Sequence, residues 1–207
     1  MRQLAFLLVF WLSVTAALGA EHTAGKTAVN EAQTESEKSI VHLTWNKDGT
    51  AIAKALIGDE VTLCAGTKNI PDGTSAVIKI IEKDADGNDD DVATLKAAVQ
   101  NNKIECAWKV VYTADNDDTD SEQEKKEKGY TLPEYAFTVE CGGEKSAESG
   151  QLDVYAKFIC KLIAAGKVLS NYPYIIKLAG GAVKTGTTDK NGFVIENEIL
   201  IGNVRIL

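Results

Sequence analysis

The four cysteines have the widest chemical repertoire in this 207-residue chain, because a thiol can bind zinc, exchange electrons or form a disulfide. They stand far apart and at irregular intervals, at Cys64, Cys106, Cys141 and Cys160, with no C-x-x-C pair. This spacing does not match the common zinc and redox motifs. An even number of cysteines in an exported chain favours disulfides, and four buried reduced thiols are the alternative.

A second candidate site is a run of five aspartates around one glycine: Asp84, Asp86, Asp89, Asp90 and Asp91. Carboxylate oxygens are the ligands that Ca²⁺ prefers, so Asp84, Asp86 and Asp89 are candidate metal ligands. An EF-hand loop, however, needs glycine at its sixth position and glutamate at its twelfth. Counted from Asp84, those positions hold Asp89 and Leu95. We therefore predict a solvated hairpin tip without a tight metal site.

The sequence contains no recognisable constellation for acid–base or nucleophilic catalysis. His22 falls in a polar leader and His42 on the outer face of the first predicted strand, and neither has an evident serine or cysteine partner. G-x-S-x-G, H-E-x-x-H and phosphate-binding glycine motifs are all missing from the sequence. We predict no catalytic residue and no cofactor, and hence that the chain is not an enzyme.

One covalent reaction is a further hypothesis for the C-terminal segment. A lysine and an asparagine can form an intramolecular isopeptide bond beside a glutamate. Lys161 and Asn203 lie on the first and last strands predicted there, with Glu196 between them. Such residues also occur by chance in any short β domain, and an intact mass lower by one ammonia would identify the bond.

The elements that must position these residues are predicted to be strands, because apolar residues recur at every second position over most of the chain. Turn-forming sequences such as Asn101-Asn102 separate them. Val92–Gln100 fits a helix or a strand, and we favour a strand because its neighbours are strands. The pattern predicts an all-β fold, in outline an antiparallel sandwich. The alternating segments are 41–45, 61–65, 76–80, 104–110, 135–141 and 152–158.

The N-terminus is typical of a secretory signal peptide over residues 1–19. Arg2 precedes the apolar run Leu4–Ala17, and small residues follow at a suitable cleavage site. The apolar run is short for a membrane span, and a retained N-terminal anchor is the alternative. We expect an exported chain, in the periplasm or at the cell surface, with no membrane span after signal cleavage. Its predicted parts are a flexible leader over 20–38, a β-sandwich over 39–157 and a small β domain over 158–207.

Two stretches resemble known exported modules. Tyr174–Leu178 followed by Gly186–Phe193 resembles the extended strand and G-x-T-D-x-x-G pattern of small transthyretin-like or carboxypeptidase-regulatory-like β domains. The preceding region, in which Gly58–Val61 leads into a core strand, is similar in outline to bacterial immunoglobulin-like domains. Together the resemblances cover nearly all of the mature chain and imply scaffolding or adhesion. The cysteine content is higher than such modules usually carry.

Strand parity within such a sandwich predicts which cysteines face its core. Cys106 shares its face with Trp108, and Cys141 shares its face with the apolar residues of its own strand. We therefore predict a Cys106–Cys141 disulfide between the sheets. Cys64 is flanked by core residues and faces outward, so it is predicted to be free or paired with Cys160.

These observations predict an exported, non-enzymatic binding or structural module of the bacterial cell envelope. It would engage an unknown protein partner through loops or a strand edge. The net charge of −8 removes the basic surface that nucleic-acid binding needs and does not favour docking on anionic lipid. The alternative is a carbohydrate-active hydrolase or a glycan-binding protein, although an aromatic content of 7% offers few platforms for stacking sugars.

Overall fold

In the computed structural model of the chain, the described residues are 36–83, 89–112 and 132–207. They form β-strands and one short 3-10 helix over Ala179–Gly181, so the predicted all-β fold is confirmed. Within these ranges no helix is long and apolar enough to cross a membrane. In chain order the strands are β1 (Ser39–Lys47), β2 (Thr50–Ala51), β3 (Lys54–Leu56), β4 (Glu60–Lys68), β5 (Ser75–Glu82), β6 (Asp90–Ala98), β7 (Lys103–Lys109), β8 (Glu134–Cys141), β9 (Glu144–Lys145), β10 (Leu152–Lys161), β11 (Ile163–Ala164), β12 (Lys167–Val168), β13 (Pro173–Lys177), β14 (Val183–Thr187), β15 (Phe193–Ile199) and β16 (Arg205–Ile206).

Two sheets enclose the larger hydrophobic core. The first has the strand order β2-β1-β4-β7, and the second has the order β15-β10-β8-β5-β6, with β3 beside β10 and β9 beside β8. Pairing between the described strands is antiparallel except for β3, which runs parallel to β10. Strand β4 shows why these segments form sheets: Val61, Leu63 and Ala65 are buried, while the residues between them face away from the core.

Aromatic side chains from both sheets meet at the centre of this core. The Trp45 ring of β1 stacks edge-on against Phe137 of β8, with ring centroids 4.8 Å apart. Trp108 of β7 lies 6.0 Å from Trp45 and 6.0 Å from Tyr135. The Trp45 indole N–H donates a 2.9 Å hydrogen bond to the Gly150 carbonyl, so the one polar atom of this buried ring is satisfied.

Local turn chemistry agrees with the sequence prediction. Asn101 and Asn102 both have positive φ, 53° and 59°, as a two-residue type I′ hairpin turn requires. Asp48 and Gly49 form the corresponding turn between β1 and β2. The ambiguous segment Val92–Gln100 lies mostly in strand β6, as favoured from its context.

A second hydrophobic cluster lies in residues 158–207, which we call the C-terminal unit. Here a three-stranded sheet of order β14-β13-β16 packs against the end of β10 and against β15. The cluster is built from five buried side chains: Tyr174, Ile176, Leu178, Val194 and Ile199.

Strand β10 links the two clusters without interruption. Leu152 and Val154 at its start belong to the larger core, whereas Phe158 and Cys160 near its end pack in the second cluster. The boundary predicted between residues 157 and 158 therefore lies inside one strand. Strand β1 begins at Ser39, next to the end of the predicted leader. The predicted signal peptide over 1–19 lies outside the described residues.

Candidate functional site

Three polar side chains converge between the two layers of the C-terminal unit. The Tyr174 hydroxyl, on β13, donates a 2.7 Å hydrogen bond to Oε1 of Glu196 on β15. Lys184 Nζ, on β14, donates to Oε2 of the same carboxylate at 3.1 Å and to the Asn197 carbonyl at 3.3 Å. Each of the three strands thus contributes one member of a Tyr174–Glu196–Lys184 cluster.

The cluster shifts the acidity of its members in opposite directions. Burial, reinforced by the hydrogen bond to the Glu196 carboxylate, raises the pKa of Tyr174 to about 12. The hydrogen bond from Tyr174, together with Lys184, holds the pKa of Glu196 below its ordinary value despite partial burial. Both carboxylate oxygens therefore already accept a hydrogen bond. A carboxylate held in this way is a poor general base, and its role is to join the layers.

The G-x-T-D-x-x-G motif begins beside this cluster, and its residues have structural roles. A β-carbon on Gly186 would overlap the hydroxyl and ring of Tyr174, so only glycine leaves room for the ring at this position. Thr188 is buried, and its hydroxyl donates to the Leu169 carbonyl at 2.6 Å while accepting from the backbone N–H of Tyr172.

The second half of the motif closes the turn into β15. Asp189 Oδ1 accepts hydrogen bonds from the backbone N–H groups of Asn191 and Phe193, both at 2.8 Å. The bond from Phe193 and the others made by the backbone lower the pKa of Asp189. Gly192 has a φ of 81°, and a β-carbon at this position would overlap the Val168 side chain. The motif thus forms a turn that fixes the start of β15.

The predicted Cys106–Cys141 disulfide is absent. The four cysteines all lie in the described ranges, and all are free thiols, so the alternative Cys64–Cys160 pair is absent too. The parity prediction itself was correct, since Cys106 and Cys141 both pack against the larger core and Cys64 lies on the opposite face of its strand. Burial raises the pKa of each thiol and so disfavours its thiolate form.

Strand order explains why two cysteines on core faces do not pair. Cys106 Sγ lies against the Lys96 carbonyl of β6, the edge strand of the second sheet. Cys141 lies on β8, which is two strands inward from β6, beside the Thr74 carbonyl. The Lys96 position beside Cys106 and the position of Cys141 are two strand spacings apart in this sheet. That distance is roughly 10 Å, well beyond the reach of a disulfide.

The other predicted site residues are not brought together in the described chain. Asp84 and Asp86 lie outside the described residues, while the Asp89 carboxylate forms an ion pair with Lys83. Among the described residues no group of three or more acidic, histidine or cysteine side chains is arranged to hold a metal ion. His42 is exposed at a bulge in β1, with a φ of 55°, and His22 lies outside the described ranges.

The isopeptide hypothesis joined Lys161 to Asn203 beside Glu196, and the structure places Asn203 in the irregular segment before β16 and not on a strand. Lys161 is exposed on β10, and its ammonium lies over the Phe193 ring, 5.5 Å from the centroid. The lysine that contacts Glu196 is Lys184, and the structure places Tyr174 on the other carboxylate oxygen. The alternation of side chains along one strand could not predict that Tyr174, Lys184 and Glu196 meet, since the three residues belong to different strands.

A shallow groove of about 470 Å³ lies beside the turn between β6 and β7. None of the residues lining it is aromatic, so it offers no ring on which a sugar could stack. The lining residues are Ala98, Gln100, Asn101, Lys103 and Glu105.

The sequence analysis did not identify the surface that stands out in the structure. Of the large hydrophobic side chains that are exposed in the described ranges, most lie between Ile159 and Leu207. Part of this set lies on one face of the β14-β13-β16 sheet, the face turned away from the second cluster. We call this the outer face, and all of its residues are exposed: Pro173, Ile175, Lys177, Val183, Thr185, Thr187, Arg205 and Leu207.

The composition of the outer face is apolar and cationic. Ile175 and Val183 are 44% and 57% exposed, and Leu207 lies beside Ile175, to whose carbonyl its backbone N–H donates. Lys177 and Arg205 are direct cross-strand neighbours on the same face, which carries no acidic residue. Such a face is complementary to a partner surface that is apolar and negatively charged.

Comparison with known proteins identifies no family for this chain. No protein-family model matches the sequence, and no curated protein matches it either. Among solved structures, the alkylpurine DNA glycosylase AlkC of Pseudomonas fluorescens is 12% identical, with a TM-score of 0.32 over 57% of this chain and 30% of the other.

Two further solved structures are similar to parts of the chain. The trypsin-activated α-2-macroglobulin of Escherichia coli is 7% identical, with a TM-score of 0.34 over 77% of this chain and 13% of its own. The β-glucosidase of Listeria innocua is 14% identical, with a TM-score of 0.29 over 57% and 16%. The chain thus spans less than a third of each of the three proteins, and similarities this weak assign it no activity.

Proposed function

We propose that this chain is an exported, non-enzymatic binding or structural module of the bacterial cell envelope. In this proposal an immunoglobulin-like β-sandwich carries a small transthyretin-like β domain that presents the outer face to a protein partner. The observation that carries the proposal is the exposure of that face, whose apolar residues Ile175, Val183 and Leu207 have no covering element among the described residues.

Charge defines the kind of partner. Residues 158–207 carry six lysines or arginines against three acidic residues, although the whole chain has a net charge of −8. The cations Lys177 and Arg205 stand within the outer face. We therefore propose a protein whose contact surface is apolar at its centre and acidic at its rim.

The non-enzymatic part of the proposal rests on the hydrogen bonding of the Tyr174–Glu196–Lys184 cluster and of the motif beside it. The carboxylate of Glu196 accepts a hydrogen bond on each oxygen, one from Tyr174 and one from Lys184. The motif that follows is occupied in building a turn, as Thr188 and Asp189 show.

Site-specific photo-crosslinking in envelope preparations tests the proposal. A photoreactive residue at Ile175, in the centre of the outer face, should give one discrete adduct with a protein. The same residue at Lys190, in an exposed turn outside the face, should give none. Replacing both Lys177 and Arg205 with glutamate should abolish the adduct at 175. Equal crosslinking from positions 175 and 190 would refute the proposal.

A further inference from the structure

Two edge strands, β14 and β15, lie on the same side of the C-terminal unit. They differ in whether their outward backbone groups already have hydrogen-bond partners. Strand β15 ends the second sheet and β14 ends the three-stranded sheet. Lys184 of β14 reaches Glu196 and Asn197 of β15, so the two edges lie one above the other. An exposed strand edge is a template for pairing with another chain unless it is blocked.

The β15 edge is blocked by groups of its own chain. The backbone N–H and C=O of Phe193 are both bonded to Asp189, at 2.8 and 2.9 Å. Further along the strand, the Asn197 carbonyl accepts from Lys184 Nζ. An incoming strand could therefore not form a continuous ladder with β15.

The β14 edge is open. The Thr188 N–H donates to the Tyr172 carbonyl and the Leu178 N–H to the Ala182 carbonyl, so even-numbered residues make the hydrogen-bonded pairs between β13 and β14. By alternation, the backbone groups of three residues point away from β13, and no partner for them lies among the described residues. These residues are Val183, Thr185 and Thr187.

We propose that the β14 edge binds the β14 edge of a second copy of this chain, antiparallel, around a two-fold axis at Thr185. In this register Thr185 opposes Thr185 of the second copy, and Val183 opposes its Thr187. Three pairs then exchange two main-chain hydrogen bonds each. The two three-stranded sheets become one continuous six-stranded sheet.

The side chains of β14 are compatible with this register. Lys184, the one charged residue of the strand, lies opposite the small neutral Gly186 of the second copy, so no like charges face each other. The Lys184 ammonium is held by Glu196 on the inner side, away from the new contact. Threonine pairs on facing strands are favourable in sheets. A symmetric partner of this kind is self-complementary, as a two-fold interface requires.

The pairing joins the outer faces of the two copies and does not cover them. It is therefore independent of the partner proposed above, because a monomeric chain would still present its outer face. Few side chains are buried by a strand of five residues, so the interface is smaller than that of a stable dimer. We expect a dissociation constant between about 1 µM and 1 mM.

Sedimentation equilibrium of the full chain over this concentration range tests the proposal. The average mass should rise from monomer towards dimer. Thr185→Pro should weaken association by roughly tenfold or more, because proline removes the N–H that points to the second copy but no N–H used within the sheet. Thr185→Val keeps that N–H and should leave association unchanged. A chain that stays monomeric throughout the range, or a Thr185→Pro variant that dimerises like the parent chain, would overturn the proposal.

Cysteine crosslinking tests the register without depending on the stability of the proline variant. In the proposed register, cysteines introduced by Thr185→Cys would have their α-carbons about 5.5 Å apart, within disulfide range. Those introduced by Thr187→Cys would be separated by roughly 13 Å along the strands. Mild oxidation should crosslink the first variant and neither the second nor the parent chain. Equal crosslinking at both positions would refute the register.

Discussion

The hydroxyl of Tyr174 donates a 2.7 Å hydrogen bond to Glu196, and this bond joins the two layers of the C-terminal unit. Tyr174 belongs to the three-stranded sheet and Glu196 to the strand that extends the larger sheet. The contact is charge-assisted and partly buried, so its loss should be measurable in the free energy of unfolding.

Replacing Tyr174 with phenylalanine should lower stability by about 1.5 kcal/mol, because a hydrogen bond to a charged group is lost. For a domain of this size that corresponds to a fall in Tm of about 3–6 °C. Thermal unfolding followed by circular dichroism measures it. Tyr172→Phe is the matched control, since that side chain is 51% exposed, and its Tm should not change. Equal behaviour of the two variants would contradict a structural role for the cluster.

The lowered pKa of Glu196 predicts an acid-sensitive contribution to stability. The folded chain holds this group charged more readily than the unfolded chain does. The contribution is therefore complete above the ordinary pKa of 4.5 and is lost as the pH falls through the lower folded value. Urea unfolding of the parent chain and Glu196→Gln should differ most at neutral pH and converge as the pH falls below the ordinary pKa of 4.5.

A surface carboxylate provides the control for this measurement. Glu140 forms an exposed, 3.7 Å pair with Lys145. Glu140→Gln should give nearly the same stability as the parent chain at every pH. A constant difference between the parent chain and Glu196→Gln from pH 7 to pH 3 would show that Glu196 acts by packing alone.

The phenol of Tyr174 should titrate apart from an ordinary tyrosine, because its pKa is raised to about 12. The pKa of this hydroxyl is higher in the folded chain than in the unfolded chain. The hydrogen-bonded hydroxyl therefore stabilises the fold below pH 10 and loses this effect as the pH approaches 12. Absorbance of tyrosinate against pH measures the ionisation. Subtracting the Tyr174→Phe titration should isolate one phenol ionising near the high value, and a difference centred near pH 10 would contradict the structure.

Gly186→Ala should destabilise the chain by about 2 kcal/mol, because the new methyl group overlaps the Tyr174 ring and forces it out of the cluster. Gly150→Ala is the control. A β-carbon there would meet no atom within 4 Å, and Gly150 does not have the positive φ that makes alanine costly. Chemical denaturation of both variants gives the comparison, and a Gly186→Ala variant as stable as Gly150→Ala would show that the ring does not depend on this glycine.

All four cysteines should react as thiols. Iodoacetamide added to the denatured chain without reductant should give an intact mass with four adducts, because the structure contains four free cysteines. Without denaturant, Cys141 should react slowest, since it is only 3% exposed. Two adducts or none on the denatured chain would show that the thiols pair in solution.

Much of the local structure was predictable because it depends on neighbours along the chain. Alternation placed Cys106 and Cys141 on core faces and Cys64 on the opposite face, and the asparagines at 101 and 102 marked a tight turn. The pattern of Val92–Gln100 fitted a helix equally well, and its neighbouring strands favoured the correct choice of a strand. Each of these features follows from the side to which a residue points or from its own backbone preference.

The side-chain contacts between different strands could not be predicted from the pattern along the chain. Lys161 and Lys184 both lie on strands of the C-terminal unit, yet Lys184 contacts Glu196 while the Lys161 ammonium lies over the Phe193 ring. The incorrect disulfide prediction has the same cause. Parity gave the correct faces for Cys106 and Cys141, but the order of the strands keeps the two sulfurs apart.

The sequence by itself determined that this chain forms β-strands, where they turn and which face of each strand is apolar. Only the tertiary structure decided which strands are neighbours, and therefore that Glu196 meets Tyr174 and Lys184, that the cysteines stay separate and that β14 is an edge strand among the described residues. The physical reason is that a side chain's orientation follows from the backbone of its own strand. The partners across a sheet or between layers depend on the packing of segments that are distant in the chain.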